Sequence, residues 1–194
     1  MAAIYSEGYL GIASAINSIV TATASTTTGY SEAYGLYSAR FSSIATNSDV
    51  TVQANSNTGQ TLTIGVYGWL GAIANNTSIS ASSIASGLAN VSAYGVSSWG
   101  NLGTASTENS DIRVYAESQG DITSAYGVSS LDGIANVINT SIYVNSNAPT
   151  IQTFGVFSSS GGTVTNSPIT VEINGTTITS GKCSGVMSSD GSCS

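Results

Sequence analysis

Ten Asp and Glu, three Lys and Arg and no His make up the charged side chains of this 194-residue chain. Acid–base chemistry would have to rest on carboxylates, because the commonest general base is missing. Asp49 and Asp111 stand out, each placed two residues after an Asn in Asn47-Ser48-Asp49 and Asn109-Ser110-Asp111. Arg113 follows Asp111 by two residues and reads as its surface ion-pair partner. Glu117 and Asp121 flank a short loop, but two carboxylates make a weak cation site. The chain contains no Walker loop and no dinucleotide fingerprint opening a helix, and without His it can form no Ser-His-Asp set. We expect no catalytic residue, no metal and no cofactor.

Cys183 and Cys193 lie in the last twelve residues, separated by a run rich in Ser and Gly. Such a pair reads as a disulfide stapling a final coil over 183–194, in an oxidising compartment. Two unpaired thiols in a frayed tail are the other reading. Two thiols without His fall short of the four ligands of a structural zinc.

The net charge of −7, with only Arg40, Arg113 and Lys182 on the basic side, removes the clustered cations that nucleic acid needs. It disfavours anionic membrane surfaces for the same reason. No apolar run reaches the ~18 residues of a spanning helix, so no membrane insertion is expected. The opening residues lack the basic region of a signal peptide, which leaves a removed leader, an added Met or no secretion as readings.

The elements that must carry these residues are set by a repeat. A Gly followed by an aliphatic residue returns at Gly11, Gly35, Gly65, Gly95, Gly127, Gly155 and Gly185. That period of about 30 residues marks a solenoid, propeller or array. A second anchor moves with it, an Asn, then Ser or Thr, then alternating apolar residues, beginning at Asn17, Asn47, Asn76, Asn109, Asn139 and Asn166. Period-two alternation after the Asn and around the Gly predicts strands. Tyr94 with Val96, and Tyr126 with Val128, are expected on one face. A third strand is expected just before the Gly, at Leu62, Val91, Ile122, Ile151 and Ile178.

Columnar identity separates a parallel β-helix from a sandwich. In a helix of strands each repeat position stacks on its own equivalent at ~4.8 Å, so like sits on like. We therefore expect one all-β domain over 1–194, a single-stranded parallel β-helix (β-solenoid) of about six to seven coils, about 30 residues and three strands per coil. Val50, Ile79, Ile112, Ile142 and Ile169 would form a dry inner stack. Tyr34, Tyr94, Tyr126 and Phe154 would stack rings, with Ile64 and Ser184 interrupting. The Asn column would sit at a corner, tolerating left-handed backbone and bonding amide to amide as a ladder. The Gly column would allow a bend or a close backbone approach. Asp49 and Asp111 would lie two rungs apart, about 9.6 Å, at the far edge of an inverting carboxylate pair.

With its short repeats, Asn-Ser-x-Ile strands and neutral polar skin, the chain resembles the parallel β-helix passengers of bacterial autotransporter adhesins and related surface solenoids over nearly its whole length. The resemblance implies an extracellular or cell-surface, non-enzymatic role. Solenoids normally cover their open ends, and repeat sequence here runs from the first dozen residues to Val186. This points to a filament whose partners are copies of the same chain, end to end. The alternative is a monomeric adhesin or glycan-binding module acting through loops such as 99–106, with surface glycans as partners. Two lower readings remain. An ice-binding face would use the outward column Thr21, Thr51, Ser80, Arg113, Tyr143 and Thr170, whose regularity Arg113 and Tyr143 break. A polysaccharide lyase or hydrolase would use Asp49 and Asp111.

Overall fold

A computed structural model describes residues 1–8, 11–120 and 122–178. Over these residues the chain is all-β, wound as a parallel β-solenoid of six coils. The first coil is β1 (Ala2–Ser6), β2 (Ala13–Ile16) and β3 (Ile19–Thr26), and the second is β4 (Ser31–Ser38), β5 (Ser42–Thr46) and β6 (Asp49–Ser56). Next come β7 (Thr61–Gly68), β8 (Gly71–Asn75) and β9 (Ser78–Ala85), then β10 (Val91–Ser98), β11 (Thr104–Glu108) and β12 (Asp111–Ser118). The fifth coil is β13 (Ile122–Ser130), β14 (Ile134–Ile138) and β15 (Ser141–Asn147), and the sixth is β16 (Thr150–Ser158), β17 (Gly162–Thr165) and β18 (Ile169–Ile173), followed by β19 (Thr176–Ile178). Every third strand pairs in parallel, giving three sheets that begin at β1, β2 and β3. Among the described strands only β19 is antiparallel. It folds back on β18 through a tight turn in which Asn174 and Gly175 both have positive φ.

The inner wall follows the repeat. Ile112, Ile142, Val114 and Val144 are at most 1% exposed and sit in register on one another in the third sheet. Leu36, Val66, Val96 and Val128 do the same in the first. The second sheet turns mostly small side chains inward, among them Ala45, Ala72, Ala74, Ala105 and Ala135.

Three expectations are corrected. The segments around Leu62, Val91 and Ile122 are not separate strands but the beginnings of β7, β10 and β13. The third strand of each coil lies instead just before the Asn, in β5, β8, β11 and β14. Its inward residues are mostly Ala, while Ile44, Ile73 and Ile134 sit on the outer face, which inverts the expected hydrophobic pattern.

Gly11 does not belong to the Gly column. Ala2 pairs with Tyr34 and Ile4 with Leu36, so Ala3 stands opposite Gly35, and Gly11 precedes β2 at a corner.

Finally, Tyr94 and Val96 do not share a face. Gly95 and Val96 are both buried while Tyr94 looks outward, and β-ladder pairing skips each column Gly. The glycine lets the strand kink so that two consecutive residues face the core. A Cβ on Gly95 would collide with Ile112 Cγ2 and lie 2.5 Å from the Gly127 carbonyl oxygen of the next coil. Close rung-to-rung approach therefore excludes any side chain there.

Candidate functional site

The six repeat asparagines all occupy left-handed backbone, with φ between 48 and 50°. Asn tolerates this region far better than β-branched residues do. Each of the first five donates its backbone N–H to the carbonyl preceding the next Asn, at 2.9 to 3.1 Å. Their side-chain amides face water, and among the described residues one amide bond joins the column, Asn139 Nδ2 to Asn109 Oδ1 at 3.3 Å.

A longer polar ladder runs one residue further on. Ser18, Ser48, Thr77, Ser110, Thr140 and Ser167 each donate a hydroxyl to the carbonyl two residues back, at 2.7 to 2.9 Å. Four of these oxygens accept the backbone N–H of the equivalent residue one coil earlier, at 3.0 to 3.4 Å. The expected side-chain ladder thus belongs mainly to the Ser or Thr and not to the Asn. The invariable Ser or Thr beside it was the available signal.

The aromatic column extends into a belt on the outer face of the first sheet. Tyr94 stacks on Tyr126 at 5.0 Å and 2°, and Tyr126 on Phe154 at 5.3 Å. Ile64 separates Tyr34 from Tyr94 in register. A second column runs beside it, Tyr5 on Tyr37 at 5.2 Å and Tyr37 on Tyr67 at 4.9 Å. Trp99 bridges the two through edge contacts with Tyr67 and Tyr94. Stacked faces cover one another, so these columns present ring edges to water and act chiefly as an external clamp along the axis.

Burial pushes Tyr94 upward, and pushes Tyr67 up to about 12 with help from Tyr37. Tyr30 also rises to about 12, from burial and then Glu32. A phenol held above its unfolded value of about 10 contributes stability that is complete below that pH and disappears as pH climbs through the folded value. We expect the melting temperature to hold up to about pH 10 and fall steeply toward 12. Tyr67→Phe should flatten the fall. Thermal melts in parallel with tyrosinate absorbance check this, and ionisation without loss of stability would refute it.

The acids do not assemble a catalytic pair. Register places Asp49, Ser78 and Asp111 in one column, two rungs between the carboxylates. Asp111 accepts from Arg113 Nε at 3.1 Å, with both side chains largely in solvent. Glu117 instead accepts from the Tyr115 hydroxyl, and Asp121 lies outside the described residues. Among the described residues no three His, Cys, Asp or Glu cluster as metal ligands, and no helix is long and apolar enough to cross a membrane. Cys183, Cys193, Ser184 and the Gly185 repeat also lie outside the described residues.

The proposed ice-binding row is real as a column, Thr21, Thr51, Ser80, Arg113, Tyr143 and Thr170 in successive rungs. The two residues that break its regularity are the ones that shape a site. Arg113 and Tyr143, with Asp111, Tyr115, Ser80, Ser82 and Ser141, line a depression of about 380 Å³ on the outer face of the third sheet. Loops are the expected place for recognition, yet most of the connections are turns of two to five residues and this depression lies on strands.

Fold and surface together define a parallel β-solenoid with an aromatic belt on one sheet and a tyrosine-lined depression on another. Compared with protein-family models, curated proteins and solved structures, the chain finds no match.

Proposed function

We propose that this chain is a non-enzymatic structural subunit, outside the cell or on its surface, that joins copies of itself end to end into a filament. The first coil carries the reading. At its corner Ile16 and Ile19 flank Asn17 and are 61% and 83% exposed. Their column equivalents are Thr46 and Asp49, Asn75 and Ser78, Glu108 and Asp111, and Ile138 and Ser141. At the solenoid's edge Ile19 thus stands where each paired equivalent is polar, and Ile16 where all but Ile138 are, and both are more exposed than Ile138 at 38%. Tyr5, 55% exposed, ends a ring column, and β1, β2 and β3 each keep one ladder edge without a strand partner among the described residues. Unpaired edges beside apolar side chains are templates for another parallel strand edge.

At the opposite end the third sheet is not open, since β19 occupies the free edge of β18. Joining would therefore run through the first and second sheets, led by β16 and β17, rather than through all three. A heterologous contact of this kind propagates into an open filament.

Light scattering after size exclusion, with negative-stain imaging, tests the reading. Wild type is expected to give concentration-dependent linear assemblies. Ile16→Asp with Ile19→Asp should leave the circular dichroism unchanged and yield monomers. Wild type that stays monomeric at high concentration, or a double variant that still assembles, would overturn it.

A further inference from the structure

We propose that the depression on the third sheet binds a neutral saccharide, with Tyr115 and Tyr143 as its stacking platforms. The site is independent of end-to-end joining and lies on the flank of coils three to five. In the first sheet, ring covers ring. In the third sheet, the column neighbours of Tyr115 are Ser82 and Asn145, and those of Tyr143 are Arg113 and Thr170. The side of Tyr115 toward the third coil therefore meets a serine, which leaves room over the ring. Ser80 and Ser82 form the small floor, and Asp111, Arg113 and Ser141 supply polar groups at the rim.

Both rings are held by their hydroxyls. Tyr143 donates to Glu172 Oε2 at 2.5 Å, and Asn145 Nδ2 donates to both the Tyr143 hydroxyl and Glu172 Oε2, at 3.2 and 3.0 Å. Tyr115 donates to Glu117 and accepts from Asn147 Nδ2 at 3.4 Å. The buried Asn145 Oδ1 has no hydrogen-bond partner among the described residues. Anchored rings lose little freedom when a ligand binds, which favours stacking. One rung step combined with one two-residue step sets the two tyrosines roughly 8 Å apart, so that neighbouring units of a short sugar chain can reach both.

The chemistry selects the ligand class. Pyranose C–H faces suit aromatic platforms, and hydroxyls suit a rim of carboxylate, guanidinium and serine groups. An anionic sugar is disfavoured, because the only cation lining the depression, Arg113, is already paired with Asp111, while Glu117 and Glu172 lie close by. The net charge of −7 acts in the same direction.

Calorimetry on the full chain with cellotetraose, mannotetraose, chitotetraose and tetragalacturonate tests the assignment. Binding of at least one neutral tetramer is expected, weakened about tenfold or more by Tyr115→Ala. Ser82→Tyr should also abolish binding while the protein stays folded, because it would lay a ring under Tyr115 and extend a stack like those of the first sheet. Trp69→Ala, on a turn outside the depression, should bind as wild type does. Failure of all three neutral tetramers, preference for tetragalacturonate, or binding that survives both Tyr115→Ala and Ser82→Tyr would overturn the proposal.

Discussion

Gly127→Ala is expected to destabilise the protein by about 3 kcal/mol, the upper end for overpacking a rigid core. Its Cβ would collide with Ile142 Cγ2 and lie 2.5 Å from the Gly155 carbonyl oxygen. A side-chain methyl can rotate aside, but a carbonyl fixed by the ladder of the next coil cannot. Relief would require the two rungs to separate, and strands pair at only ~4.8 Å. For a chain of this length the loss corresponds to a melting point lower by about 6 to 12 °C. Gly29→Ala is the control, since nothing lies within 4 Å of its added Cβ and only its φ of +92° opposes the change. That backbone strain is about 1 kcal/mol. Equal losses from the two variants, measured by thermal and denaturant unfolding, would refute the account of the Gly column.

Ile112→Ala should cost a similar amount, about 3 to 4 kcal/mol, through a cavity rather than a clash. Ile112 is fully buried in the inner stack between Ile79 and Ile142. Neighbouring rungs are held by continuous parallel ladders, so the walls cannot collapse into the space. Ile19→Ala, at a side chain 83% exposed, should change monomer stability by no more than about 0.5 kcal/mol. Coils touch mainly their neighbours, so damage from Ile112→Ala should be local. Hydrogen exchange is expected to accelerate most in coils three to five and least in the first. Uniform acceleration would mean that the solenoid unfolds as one cooperative unit.

Some of this organisation is plain in the order of residues. Asn109-Ser110-Asp111-Ile112-Arg113-Val114 announces a corner and a strand with Ile112 and Val114 inward, and its five sister segments make the coil parallel rather than paired in hairpins. The backbone consequence of the Asn is legible too, because few other residues sit readily at a φ near 50°. The second sheet is harder to read, since small Ala side chains point inward while Ile44, Ile73 and Ile134 lie on the outer face. The kink at Gly95 was hidden for another reason. Period two places Tyr94 with Val96, and only collision with Ile112 and the next rung shows why the strand must break step there.

The tyrosine-lined depression was the least legible feature. Arg113 and Tyr143 look like blemishes in a threonine row when each is compared only with its own column. Tyr115 and Ser82, 33 positions apart in the chain, become neighbours only through the register of the coils.

By itself, then, the chain's order of residues determined the parallel winding, the coil length and the Ile and Val that line the axis in the third sheet. These follow from alternation within a strand and from recurrence every 30 residues or so, both local enough to be read along the chain. The tertiary structure decided which residue of one coil lies over which residue of the next, and hence which rings are covered and which are bare. That register depends on how many residues each corner consumes, and the corners differ in length from coil to coil. A shift of one residue at a turn would have put a different side chain beneath Tyr115.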